Sequence, residues 1–163
     1  MRKRFIALLV GALVGALLIV GCGSSSDETT ASITKAEFLK QGNAICKAGN
    51  EEINEGFENF GKEHNLKPNK EPSEAQFEEL SETVLVPSVS TQIKEVRALG
   101  APEGEEGEVD EFLTHAEEAL EELEGEPALI AAEGKEEPFY LVNKEAATLG
   151  LTACGGEEEQ EKS

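Results

Sequence analysis

Apolar residues in this chain form one unbroken block and then a series of stripes at helical spacing. The block, Phe5 to Val20, carries no polar side chain. It covers about sixteen residues, fewer than the roughly 20 that span a bilayer as a helix. Further on, Thr34-Lys35-Ala36-Glu37 has the form of a capping box. In such a box the threonine oxygen takes an early backbone N–H and the glutamate reaches back. The helix this predicts carries Phe38, Ile45, Gly49, Ile53, Phe57 and Phe60 as its inward stripe, with Cys46 beside it. The run HNLKPNKEP, His64 to Pro72, reads as a loop by its Pro and Asn content.

A second capping box stands at Ser73-Glu74-Ala75-Gln76. Phe77, Leu80 and Val84 form one stripe after it, and Val86, Val89, Ile93 and Val96 form another, slightly out of phase. Pro87 lies between the two. Its ring crowds the preceding turn, so a kink or break is predicted there. The helix resumes to about Leu99 and stops at Gly100-Ala101-Pro102.

A third helix follows Glu103-Gly104-Glu105-Glu106-Gly107, with Val109, Phe112, Leu113, Ala116, Leu120 and Leu123 as its apolar face. Its early acids, Glu108, Asp110 and Glu111, sit at the positive end of the helix dipole. Gly125 ends it, Pro127 opens a short helix through Ala132, and Gly134 breaks that one. Pro138 opens the last helix, with Phe139, Val142, Ala146 and Leu149 inward and Gly150 as the cap before apolar Leu151. No segment alternates with period two. The expected fold class is therefore all-α, a small bundle of four to five helices over residues 33–154.

Charge and cysteine placement extend this picture. Arg2, Lys3 and Arg4 precede the apolar block, giving the basic region and apolar core of a secretory signal. An uncleaved anchor helix is the alternative, disfavoured by the short run and by Gly11 and Gly15. Ile19-Val20-Gly21-Cys22 resembles a bacterial lipobox. That resemblance implies a diacylglyceryl group on the Cys22 thiol and cleavage just before it, so residues 1–21 would be a lipoprotein signal peptide. Residues 22–32 continue in small, polar and acidic side chains, a flexible tether with nothing to bury. Residues 155–163 read as a disordered acidic tail.

Three of the 14 basic residues would leave with the signal, so 11 would remain against 34 acidic ones, a formal charge of −23. Such a surface repels nucleic acid and anionic lipid, and nucleic-acid binding is excluded. With no Trp and one Tyr, the core must be built from aliphatic residues and Phe.

The chain has three cysteines, an odd number for an exported protein. With Cys22 assigned to lipid, Cys46 and Cys154 remain and should pair in an oxidising compartment. A metal or redox role for the two thiols is the alternative, but no C-x-x-C or Cys/His cluster surrounds either. Three stretches, ITKAEFLKQGNAICKAGNEEI, VPSVSTQIKEVRALGAPEGEEGEVDEFL and LGLTACGG, resemble a group of small exported proteins common in actinobacterial genomes. The group carries a capped helix with the first Cys, a Pro-kinked second helix, a Gly-Ala-Pro turn and a closing Cys-Gly. Leu149 stands where the group has an aromatic residue. The resemblance implies the Cys46–Cys154 pairing and a bacterial surface location, and it carries over no catalytic residue.

Candidate chemistry is sparse. Glu111, His115 and Glu118 could share a helix face and bind a metal. An exposed histidine in an acidic helix is the preferred reading, because zinc usually takes more imidazole or thiolate. Neither Ser88 nor Ser90 lies in a G-x-S-x-G elbow. The carboxylate-rich stretches Glu103–Glu111 and Glu117–Glu126 lack the ligand order of a calcium loop and read as solvated helix faces.

The expectation is a non-enzymatic, membrane-anchored extracytoplasmic lipoprotein with a binding or structural-interaction role at the cell envelope. Its contacts would be the membrane, through Cys22, and an envelope protein or small ligand. No cofactor and no metal site is expected. An acidic surface protein that binds divalent cations is the alternative.

Overall fold

The computed structural model describes residues 32–67 and 72–155. The expected signal peptide, the expected lipid attachment at Cys22 and the tail beyond Gly155 lie outside the described residues. Within them the fold is all-helical, and no helix there is long and apolar enough to cross a membrane.

Helix α1 spans Lys35–Glu63. Its capping box forms: Thr34 Oγ1 accepts from the Glu37 N–H at 3.3 Å, and Glu37 Oε2 accepts from the Thr34 N–H at 3.3 Å. The inward face is Phe38, Gly42, Cys46, Gly49 and Phe60. Phe57, expected there, is 37% exposed. The reason is a row of glycines at seven-residue intervals, Gly42, Gly49 and Gly56, where other segments come close. A Cβ at Gly49 would meet the Gln92 side chain at 2.2 Å, and one at Gly56 would meet Val84 Cγ1 at 2.4 Å. The contact follows the glycines, one residue away from the bulkier stripe. At the far end His64 stacks on Phe60, ring centroids 4.1 Å apart, with Nε2 3.4 Å from Glu79 Oε1.

Helix α2, Glu74–Leu80, continues through a π-helical turn, Ser81–Leu85, into α3, Val86–Ala98. The helical chain does not break at Pro87. The Val86 N–H bonds the Ser81 carbonyl, five residues back. Widening the turn gives the proline ring room against the preceding carbonyls, and the extra residue supplies the phase shift between the two apolar stripes.

Helix α4, Glu106–Gly125, follows and buries Val109, Phe112, Leu113, Ala116, Ala119, Leu120 and Leu123. Two 3₁₀ turns, Pro127–Ala131 and Gly134–Glu136, take the place of the expected short α-helix. Between the breakers at Pro127 and Gly134 there are too few residues to repay α-helix nucleation. Helix α5 spans Tyr140–Leu149 and buries Val142 and Ala146.

Helix α1 packs on α3, α3 on α4 and α4 on α5. The chain then returns to α1. Gly150, at φ 92°, ends α5 in a Schellman motif, with the Leu151 N–H on Ala146 O at 2.8 Å and the Gly150 N–H on Ala147 O at 3.1 Å. The turn drives fully buried Leu151 into the notch over Gly42, where a Cβ would lie 2.6 Å from Leu151 Cδ2. Asn43 Oδ1 accepts from the Ala153 N–H at 2.8 Å, while its Nδ2 donates to Leu39 O and Gly150 O at 2.9 and 3.0 Å. Asn50 Nδ2 donates to Ala153 O at 2.8 Å. Between these two asparagines lies the Cys46–Cys154 disulfide, with Cα atoms 4.9 Å apart and the two cysteines 108 positions apart in sequence.

Closing a loop of that length removes about 4 to 5 kcal/mol of unfolded-state entropy. Replacing both Cys46 and Cys154 by Ala should lower the unfolding free energy by about 3 to 5 kcal/mol in urea titrations followed by circular dichroism. Unchanged stability would contradict the closure. The glycine row gives a paired expectation. Gly61 has open space around its Cβ position, so Gly61→Ala should stabilise by about 0.5 to 1 kcal/mol through helix propensity alone. Gly56→Ala gains the same propensity but overpacks against stiff Val84 at a cost of about 1 to 3 kcal/mol, so the net change should be a loss. Equal melting shifts for the two variants would refute the close packing.

Candidate functional site

The first half of α4 and the second half of α5 each present polar residues beside their buried stripes. Glu108, Glu111 and His115 share a face of α4 by their spacing of three and four residues. Glu145 and Thr148 do the same on α5. Lys35, the first residue of α1, stands across from them. Lys35, Glu105, Glu108, Glu111, Glu145, Thr148 and Leu149 line an open groove of about 410 Å³, and His115 meets it through Glu145. Lys35 Nζ reaches Glu105 Oε1 at 2.6 Å and ties the start of α1 to the entry of α4.

At one side of the groove His115 and Glu145 join α4 to α5. His115 Nδ1 is 2.8 Å from Glu145 Oε1 and 2.9 Å from Oε2, with side chains 29% and 24% exposed. Both carboxylate oxygens thus accept from one ring N–H. That hydrogen bond holds the His115 pKa above its ordinary 6.5; partial desolvation opposes it, and the negative charges of Glu145, Glu118 and Glu111 reinforce it. Glu111, His115 and Glu145 each place a ligand-capable atom within 4.8 Å of the others.

The sequence pattern put His115 between Glu111 and Glu118 on one helix. The structure keeps Glu111, replaces Glu118 by Glu145 from α5, and leaves Glu118 as a neighbouring charge. Helix packing decides this, because α5 brings its own acid to the ring. Glu145 had one local signal, its place beside buried Ala146 at the border of the apolar stripe. The acid-rich stretch of α4 is partly used by Arg97 of α3, whose Nη1 is 3.6 Å from Asp110 and Nη2 3.0 Å from Glu117. Of the other singled-out residues, Cys46 and Cys154 are joined, Ser88 is buried in α3, and His64 caps α1 against Phe60. Cys22 lies outside the described residues.

A histidine whose pKa is raised in the folded state contributes stability in full below its unfolded value, about 6.5. That contribution disappears as pH rises through the raised folded value. Two-dimensional NMR titration should therefore place the His115 midpoint above the ordinary 6.5, and Glu145→Gln should pull it down. Wild-type stability should lose a component as pH climbs through that midpoint, and the loss should be absent in His115→Ala. A His115 midpoint that ignores Glu145→Gln would disprove the assignment.

No protein-family model matches the chain, and no curated protein or solved structure matches it either.

Proposed function

We propose that this chain is an exported bacterial lipoprotein whose helical domain is tethered by Cys22 to the outer face of a membrane and acts there by binding or as a structural element. The observation that carries the reading is the Cys46–Cys154 disulfide. Structural disulfides persist in oxidising compartments, which supports a location outside the cytoplasm. Pairing these two leaves Cys22 as the one further cysteine of the sequence, at the end of the signal-like block, where lipid attachment gives it a use. Two or more acyl chains hold a protein firmly at a bilayer, whereas one does so only marginally. The likeness to small exported actinobacterial proteins points the same way.

A binding or structural role, rather than catalysis, is supported by how the two histidines are engaged. His64 stacks on Phe60 beside Glu79, and His115 bonds Glu145. The 410 Å³ groove is lined mainly by carboxylates, so a cationic partner suits it better than an apolar one.

Expression in a bacterial host tests the anchor. Mass spectrometry of the mature protein should find its N-terminus at Cys22 with a diacylglyceryl modification, and the protein in the membrane fraction. Cys22→Ala should abolish the modification and leave the protein uncleaved at that site. A mature chain that keeps residues 1–21 with an unmodified Cys22 thiol would overturn the proposal.

A further inference from the structure

We propose that Glu111, His115 and Glu145 form a specific site for one first-row divalent cation of the zinc type. The proposal goes beyond the envelope reading and does not rest on it.

The donor set is one imidazole and two carboxylates, brought together from two helices. Glu111 and His115 are four residues apart on α4, so one turn stacks them. Glu145 comes from α5 and is already at hydrogen-bond distance from the ring. Buried Phe112 and Ala116 on α4, with Val142 and Ala146 on α5, fix the two helices behind the cluster. Ligands on packed helices are held more closely in place than ligands on loops.

The distances suit a small ion. Bonds of about 2.1 Å to nitrogen and oxygen put tetrahedral ligand atoms roughly 3.4 Å apart. The three atoms lie within 4.8 Å of one another, so closing around an ion takes side-chain rotation on the order of an ångström. Three protein ligands leave a fourth position, and the open groove beside them gives water access to it.

Charge and ligand type then choose among cations. Glu108 and Glu111 have no cationic partner within salt-bridge distance among the described residues, and Lys35 is engaged by Glu105. The groove therefore holds uncompensated negative charge. Calcium takes six to eight oxygens and magnesium keeps most of its water, so neither gains from the ring nitrogen. Imidazole suits zinc, copper, iron and nickel. Zinc accepts carboxylate oxygens beside imidazole in a tetrahedral site with one open position. It fits three ligands of this kind even though its sites more often hold further imidazole or thiolate.

The ring proton is the competitor. In the empty state the His115 N–H donates to Glu145; metal entry replaces that proton, and one proton is released per ion bound by a protonated ring. Glu111 and Glu118 on α4 and Glu145 on α5 all favour the protonated ring, with Glu108 and the Lys35–Glu105 pair along the groove. Affinity should therefore fall as pH drops through the His115 midpoint.

The test uses the full chain, free of any affinity tag and with its disulfide intact. Zinc is titrated against a chromophoric chelator in 0.15 M salt with millimolar magnesium and calcium, which occupy loosely binding surface carboxylates. The expected result is one zinc ion with a dissociation constant on the order of 10 µM or tighter. Glu145→Gln and His115→Ala should each weaken it about tenfold or more, while Glu124→Gln, on an exposed position of α4, should not. On wild-type protein, zinc should shift the His115 ring resonances in NMR and leave those of His64 in place, a readout that needs no variant to fold. Zinc binding that is equally strong in Glu145→Gln, a His115 ring that does not respond, or affinity weaker than about 100 µM would each overturn the proposal.

Discussion

Returning the end of the chain to its first helix is the constraint on which this domain depends. Four helices pack in series, α1 on α3, α3 on α4 and α4 on α5, and such a series has two loose ends. Residues 150–155 join them. Leu151 fills the notch over Gly42, the Cys46–Cys154 bond makes the joint covalent, and Asn43 and Asn50 take up the backbone groups of Gly150 and Ala153. Each part does a different physical task. Burial removes apolar surface from water, the bond restricts the unfolded chain, and the amides satisfy carbonyls and an N–H that would otherwise be half-buried without partners. The groove inherits its geometry from this closure, because its walls come from α1, α4 and α5.

Close approach of backbones carries much of the remaining packing. A core without tryptophan has little bulk to spend on filling gaps, and α1 answers by removing side chains instead. Gly42, Gly49 and Gly56 let Leu151, Gln92 and Val84 reach the helix surface. The π-helical turn at Ser81–Leu85 belongs to the same solution, since it rotates the apolar face by one residue and seats Val84 over Gly56 while Pro87 follows without a break.

Electrostatics in so acidic a chain is governed by where the few cations go. Lys35 ties α1 to Glu105, and Arg97 ties α3 to Asp110 and Glu117. His115 adds a link between α4 and α5, and it differs from those two because an imidazole can lose its charge near neutral pH. The groove is thus the place where surface charge meets a titratable contact between helices.

The local sequence determined what depends on neighbours along the chain. Capping boxes at Thr34 and Ser73, the apolar face of α4, the Gly150 cap and the all-helical class follow from residues within a turn or two of each other, where spacing translates directly into a shared face. Cysteine parity also made the Cys46–Cys154 pair legible, because only two thiols remained once Cys22 was set aside. The tertiary structure decided what depends on contact between distant segments. It turned Phe57 outward, read Gly42, Gly49 and Gly56 as a contact row, gave the kink or break expected at Pro87 the form of a π turn, and gave His115 Glu145 in place of Glu118. Helical spacing says which residues share a face, but which face is covered, and by whose side chains, is set by the neighbour that packs on it.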